Sequence, residues 1–299
     1  MTRRSEPLLT VMALCYNHER FVLECLESIR AQTFQNFRLI VTDDASTDRS
    51  AELIADWLAR NRPDATFIRH THNRGLCATL NEALATVSTK YLAKIATDDL
   101  WMPEKLERQL ALMESLPENV AVLYGDAHQI DEGGAFLAGK FLHAYGIVGE
   151  PPQGDLFPRL VRRNFIPSLT TMIRVQCLRD VGGYDERLSY EDWDMWLRIS
   201  QRYEFAYSDY VSAKYRIVQS SMARTVVPLR APRRIWSDVL LMEKCLHSRR
   251  PSAAQALRLR ARILVRAYRL WRHRDSRAFD ALSRAFVLRR AGLTRSPGN

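Results

Sequence analysis

The chain is predicted to fold as an α/β domain, a mainly parallel sheet flanked by helices, followed by an all-α C-terminal appendage. Three observations carry that expectation. Strand-like and helix-like segments alternate through the first two hundred residues. A short apolar run, 91–96, ends in two adjacent carboxylates, Asp98 and Asp99. Beyond about Val226 the strand pattern stops and the composition turns strongly basic. With 46% hydrophobic and 26% charged residues in a chain of 299, a full core is available and large-scale disorder is not expected.

Taken in order, residues 8–15 read as a buried first strand. Arg3 and Arg4 before it mimic a secretion signal, but the apolar run is short, carries Thr10 and runs straight into Asn17-His18-Glu19-Arg20. Residues 20–32 follow as a helix with Phe21, Cys25 and Ile29 on one face. Residues 37–42 form the second strand, and the turn-rich Asp43-Asp44-Ala45-Ser46-Thr47-Asp48 leads into a helix with Leu53, Ile54, Trp57 and Leu58 inward. Strand 65–69, helix 76–87 and strand 91–96 complete the alternation, and Pro103 starts another helix. Parallel strands joined by right-handed crossovers follow. The first strand-to-helix turn, Tyr16-Asn17-His18-Glu19, holds no glycine, and neither Gly-x-Gly-x-x-Gly nor a Walker loop occurs, so bound phosphates must be held by metal and side chains.

After Met102 the pattern is less regular. Segments 119–125 and 170–173 look like strands, Gly133-Gly134 and Gly182-Gly183 mark turns, and 203–207 and 211–217 read as two closing strands. Between them Asp192 sits in the first turn of a helix whose inward face carries Trp193, Trp196, Leu197 and Ser200. The domain is placed at 1–224 and the helical extension at 225–299, with helices near 233–248, 252–272 and 276–291. In the middle one, Leu257, Ala261, Leu264, Tyr268 and Trp271 fall on one stripe and Arg258, Arg262, Arg266 and Arg269 lie opposite. That stripe either packs on other helices or lies on an anionic membrane surface.

The net charge of +10 belongs to this extension, where 18 Lys+Arg face 4 Asp+Glu. Such a stretch attracts polyanions, lipid headgroups and nucleic acid alike. Five scattered cysteines without a Cys-x-x-Cys pair indicate neither a zinc site nor a disulfide framework, which fits a reducing cytoplasm. No stretch approaches the ~20 apolar residues of a membrane helix, so any membrane attachment is expected to be peripheral.

The Asp98-Asp99 pair lies where open α/β sheets gather ligands, at the carboxyl end of a central strand. Adjacent carboxylates repel, and stay anionic only where water or a cation such as Mg²⁺ or Mn²⁺ offsets the charge. Helix capping is the plainer reading of the same residues.

Several stretches together resemble the family 2 glycosyltransferases with the GT-A fold, across roughly residues 8–220. They are Cys15-Tyr16-Asn17-His18-Glu19-Arg20-Phe21, Val41-Thr42-Asp43-Asp44-Ala45-Ser46-Thr47-Asp48, Asn73-Arg74-Gly75, Asp98-Asp99-Leu100-Trp101, Gly182-Gly183-Tyr184-Asp185, Glu191-Asp192-Trp193 and Tyr215-Arg216. The resemblance implies donor binding by Cys15, Tyr16, Asn17, Glu19, Asp43, Asp44, Arg74 and Asp98. It implies acceptor contacts from Trp101, Glu191 and Trp193, metal ligation by Asp98 and Asp99, and a general base at Asp192. For Asp43, Asp44, Ser46 and Asp48 the alternative is turn capping; for Arg74, a solvated surface cation; for Trp101, a core plug. Two departures are Ala96, where the family's metal loop has its first acid, and Val218, near which relatives carry a histidine. The remaining histidines show no ligand spacing.

The expected activity is inverting, Mn²⁺- or Mg²⁺-assisted transfer of a sugar from a UDP- or dTDP-linked donor to a hydroxyl of a saccharide acceptor. By resemblance, the setting is bacterial surface polysaccharide or O-antigen assembly with a lipid-linked acceptor at the inner face of the cytoplasmic membrane. One rival is a nucleotide-sugar-binding domain without turnover, suggested by Ala96 and Val218. The other is a basic-tailed nucleic-acid-binding protein, which the first 220 residues do not support; no nucleic acid is expected.

Overall fold

Continuous apolar runs become the central strands because both of their faces are covered. The computed structural model describes residues 6–218, 231–248 and 251–286. The chain divides into two compact units, Met1–Val226 and Val227–Asn299. In the first, β1 (Leu9–Cys15) leads to α1 (Val22–Arg30), β2 (Phe37–Asp43), α2 (Ser50–Asn61), β3 (Thr66–Arg69), α3 (Leu76–Thr86) and β4 (Tyr91–Ala96). All seven residues of β1 are buried. Helix α1 turns Val22, Cys25, Leu26 and Ile29 toward the core, and α2 adds Ile54, Trp57 and Leu58. Each such aliphatic side chain contributes about 1.5–3 kcal/mol on burial.

The second half supplies β5 (Leu100–Trp101), α4 (Lys105–Ser115), β6 (Val120–Ile130), β7 (Phe136–Lys140), α5 (Phe141–Ala144) and α6 (Phe157–Leu160). A 3₁₀ turn at Ser168–Thr170 precedes β8 (Met172–Arg174), α7 (Val175–Asp180), α8 (Asp192–Ile199) and β9 (Glu204–Arg216). The sheet order is β3-β2-β1-β4-β8-β6-β9-β5, with β7 beside β6. Strands β1 to β4 are mutually parallel, and β8 is antiparallel to both β4 and β6. Because β6 and β9 pair in parallel, six strands run one way and β5, β7 and β8 the other. The sheet is therefore mixed, although its parallel strands dominate as expected.

One difference from the sequence reading lies at the end of the unit. The two expected closing strands are one 13-residue strand, β9, whose pairing with β6 shifts register around Asp126. Such a bulge keeps a long strand paired while bending it. Gly125 permits this crossing, because a Cβ there would meet the Tyr210 carbonyl oxygen at 3.0 Å.

Register also places the site. Cys15 pairs with Asp43 and Leu14 with Ala96, so the carboxyl ends of β1, β2 and β4 stop at one level. The loops that follow share one edge of the sheet.

The second unit contains α9 (Pro232–His247), α10 (Ala253–Arg272) and α11 (Arg277–Phe286). A capping box starts α10: Ser252 Oγ accepts from Gln255 N (3.2 Å), and Gln255 Oε1 accepts from Ser252 N (2.9 Å). This helix packs on α9 and α11 through Leu259, Ile263, Ala267 and Leu270. The stripe singled out in the sequence is not the packed one. Two apolar stripes run along α10, and the one with small Ala267 at its centre is the one that lets its neighbours approach.

Candidate active site

Two loops at the sheet edge are stitched to each other. Asn17 takes a left-handed conformation (φ 56°), which asparagine tolerates better than most residues. Its Oδ1 accepts from Thr47 N (2.8 Å), its own N–H donates to Ser46 Oγ (2.8 Å), and Glu19 Oε2 accepts from Arg49 N (3.0 Å). Asp43 accepts from Ser46 through both oxygens, N–H at 3.0 Å and Oγ at 2.5 Å. The side chains of Asn17, Glu19 and Asp43 thus shape the β1–α1 and β2–α2 loops. Tyr16, half-buried, directly follows β1 at the same edge.

Two residues expected at the donor turn their side chains inward. The Cys15 thiol is buried and pushed up to about 12 by that burial, so it is an inert core group. Asp44 accepts from Arg74 N and Gly75 N, both at 2.8 Å, and contacts His70 Nδ1 at 2.7 Å. It pins the turn before α3, where Gly75 takes a φ of 88°. The capping alternative describes Asp44 as the structure places it. Arg74 itself pairs with Glu82, which also meets His70 Nε2 at 3.1 Å.

Beyond β4 the two adjacent acids diverge. Asp98 is 16% exposed and its Oδ2 lies 3.8 Å from His18 Nε2. His18 is in turn fixed by a 2.9 Å hydrogen bond between Nδ1 and Thr97 Oγ1. Asp99 is buried, and its Oδ1 accepts from Arg216 N at 2.8 Å. Burial first, and the Asp98 charge second, push the Asp99 carboxyl well above the usual carboxylate range, against the pull of Arg216. As a ligand pair the two acids are unequal: Asp98 faces outward and Asp99 inward.

Trp101 is 3% exposed, donates from Nε1 to Leu169 O (2.8 Å) and lies under Lys105 Nζ, 4.5 Å from the ring centroid. It is a core plug, with no open face for a sugar.

From the other side comes α8. Asp192 opens this helix, with Oδ2 accepting from Asn164 Nδ2 (2.7 Å) and Oδ1 from Trp193 N (2.6 Å). Trp193 is fixed by donating from Nε1 to Leu160 O (2.7 Å). Just before the helix, Glu191 forms a buried ion pair with Lys94 of β4 (2.7 Å), and Ser168 bonds to the same ammonium. Burial alone would lower the lysine and raise the acid, but their mutual attraction wins and shifts both the other way. This pair ties the start of α8 to the strand that ends in Asp98. Glu191 is thereby a positioning group.

Tyr215 is buried on β9 beside this region. Burial raises its hydroxyl most, and the charges of Asp99, Tyr145, Asp98 and Asp192 raise it further. Its neighbour Arg216 is a buried hub, donating to Asp98 O (2.8 Å), to Glu132 O (3.0 Å) and to Glu24 Oε2 (2.5 Å).

Sequence reasoning missed Lys94, His18 and Asn164. Lys94 carried a signal, a lone cation inside an otherwise apolar strand, which demands a buried partner. His18 and Asn164 carried none, because each gains its meaning from a partner distant in sequence.

Among the described residues, no three His, Cys, Asp or Glu side chains gather into a metal cage. Asp98 with His18 nevertheless suits a hard cation completed by substrate phosphate oxygens, since Mg²⁺ commonly takes only one or two carboxylates from protein.

The family described as Glycosyl transferase family 2 matches residues 10–177. A glycosyltransferase of Methanocaldococcus jannaschii, MJ1057, is 30% identical over 219 residues, covering 71% of each chain. The Escherichia coli enzyme WfgD, a UDP-Glc:α-D-GlcNAc-diphosphoundecaprenol β-1,3-glucosyltransferase, is 25% identical over 218 residues, 72% of this chain and 79% of that one. A Rickettsia bellii glycosyltransferase is 29% identical over 194 residues, and the match spans only 27% of that longer protein. In fold, the chain is similar to Staphylococcus aureus TarS residues 1–349 in complex with UDP-GlcNAc (TM-score 0.65, 18% identity, 93% and 79% covered). It is also similar to the mannosyltransferase PcManGT of Pyrobaculum calidifontis in complex with GDP-Man and Mn²⁺ (TM-score 0.60, 19% identity, 93% and 79% covered).

Proposed function

Because the chain belongs to glycosyl transferase family 2, we propose that it moves a sugar, with inversion, from a UDP- or dTDP-linked donor to a saccharide hydroxyl. The acceptor in this reading is lipid-linked, and the product a surface polysaccharide or O-antigen precursor made at the inner face of the cytoplasmic membrane. WfgD, whose acceptor is a diphosphoundecaprenol-linked sugar, supports that choice.

The observation that carries the reading is the buried Lys94–Glu191 ion pair, which ties the start of α8, where Asp192 sits, to the strand that leads to Asp98. The donor lies over the stitched β1 and β2 loops, with its base and ribose against Tyr16, Asn17 and Asp43 and its diphosphate toward Asp98. Asp192 faces the acceptor. Its carboxylate takes the hydroxyl proton as that oxygen attacks the anomeric carbon, and the bond to the diphosphate breaks on the opposite face. The proton ends on Asp192 and the electron pair on the nucleoside diphosphate. Asp98, with His18 beside it, would hold a Mn²⁺ or Mg²⁺ ion, which would neutralise charge on the phosphate oxygens. Arg216 holds Asp99 and the Asp98 backbone in place.

Purified protein screened against UDP-, dTDP- and GDP-sugars with Mn²⁺ or Mg²⁺ tests this reading through thermal shift and nucleotide release. Asp192→Asn is expected to lower turnover by about 10³-fold or more while donor binding persists. Equal loss of binding and turnover would make Asp192 a purely structural cap, and no stabilisation by any donor would end the proposal.

A further inference from the structure

Helix α10 has two apolar stripes, and only one is covered. Leu259, Ile263, Ala267 and Leu270 are buried within the helical unit, while Leu257, Tyr268 and Trp271 stand 70%, 57% and 61% exposed. Helix α11 repeats the arrangement, burying Ala278, Ala281 and Ala285 and leaving Phe279 75% exposed on the same groove as Leu264, Tyr268 and Trp271. The Tyr268 and Trp271 rings stack at 5.9 Å, which gives the face a continuous aromatic surface. Beside it run the exposed Arg258, Arg269 and Arg272, which helical spacing puts along one flank. Other arginines of the unit are already engaged: Arg266 pairs with Asp238 at 2.7 Å, and Arg260 bonds to Ala285 O.

We propose that this face, centred on Tyr268, Trp271 and Phe279, docks in the interfacial layer of an anionic lipid bilayer. Charge complementarity selects that occupant, because residues 225–299 hold 18 Lys+Arg against 4 Asp+Glu. The chemistry of the face agrees, with aromatic rings to enter the acyl boundary and arginines to meet the phosphates around them. No described helix is long and apolar enough to cross a membrane, so contact is along the surface. Anionic headgroups add attraction for each basic residue near the interface, and the attraction falls with salt. The surface deepens the proposed use of a lipid-linked acceptor but does not depend on which donor or acceptor is used.

The test is sedimentation of the full-length protein with phosphatidylcholine vesicles, with and without phosphatidylglycerol, at low and high salt. Binding is expected on the anionic vesicles alone, weakened by salt, and reduced about tenfold or more in the double variant Trp271→Ser, Phe279→Ser. Both positions are exposed, so its thermal melt and its nucleotide release from soluble donor should match the wild type. Unchanged vesicle binding by the variant would overturn the proposal. So would retention on RNA without retention on vesicles, or a concentration-dependent dimer in light scattering that the variant abolishes. Failure of the donor screen alone would sink the transferase reading and leave vesicle binding intact.

Discussion

Replacing Lys94 by methionine removes the cation beneath Glu191 while keeping a side chain of similar volume. Lys94 is 4% and Glu191 13% exposed, at a separation of 2.7 Å. Taking one partner from a buried ion pair strands the other, at a typical cost of about 3–5 kcal/mol. Measured against the ~5–15 kcal/mol that holds most domains folded, that is a large fraction. At roughly 2–4 °C per kcal/mol for a domain of this size, the melting temperature should fall by about 6–20 °C. Removing both charges, as in Lys94→Met with Glu191→Met, should restore most of the loss, because an apolar pair leaves no stranded charge.

The pH dependence has a defined sign. In the wild type, the Glu191 carboxyl is held below its usual range, burial being outweighed by Lys94. That stability is present above the unfolded carboxylate pKa and lost as pH falls through the folded one. In Lys94→Met the attraction is gone and burial dominates, so the acid favours its proton and the deficit should shrink on acidification. Urea denaturation of the wild type, both single variants and the double across pH 4 to 8 measures this as a double-mutant cycle. A single-variant cost below about 1 kcal/mol, or a double variant as unstable as Lys94→Met, would refute the reasoning.

Asp44→Ala leaves Arg74 N and Gly75 N without their carboxylate; urea denaturation should show a loss of about 2–4 kcal/mol. Trp101→Phe, which removes the bond to Leu169 O, should cost about 1–3 kcal/mol and leave acceptor KM unchanged, whereas a raised KM would return this ring to the sugar site. Burial pushes the Lys105 ammonium down from 10.5 to about 7. The unfolded chain then binds the extra proton between those values, so wild-type stability should rise with pH over that window relative to Lys105→Met. Parallel pH–stability curves for the two proteins would contradict that burial.

Much of the fold was legible because local pattern and final burial coincide. Strands β1, β2 and β4 are mainly apolar runs, and the helices between them carry a single inward stripe, so both periods could be read directly. What depends on distant partners could not. The insertion of β8 between β4 and β6 is set by pairing across some eighty residues, and nothing within Met172–Arg174 announces its direction. Likewise the two expected closing strands are one, because the bulge opposite Asp126 imitates a break in the alternation. In α10 the large residues of the exposed stripe masked the smaller stripe that packs. At the site, the types and order of the acids were readable, but not which way Asp99 turns, nor that Lys94 anchors Glu191 from ninety-seven positions away.

The behaviour of Asp98 and Asp99 follows from that geometry. Both acids sit in the turn between β4 and β5, where Asp98 is 16% exposed toward His18 and Asp99 is buried. The repulsion expected between them is met in this chain by a backbone donor, Arg216 N, and by burial that favours a proton on Asp99. Asp98 is the more exposed of the two and lies 3.8 Å from His18 Nε2. A cation recruited to this edge would take few ligands from the protein and the rest from water and phosphate oxygens, which would couple its binding to that of a phosphate-bearing substrate.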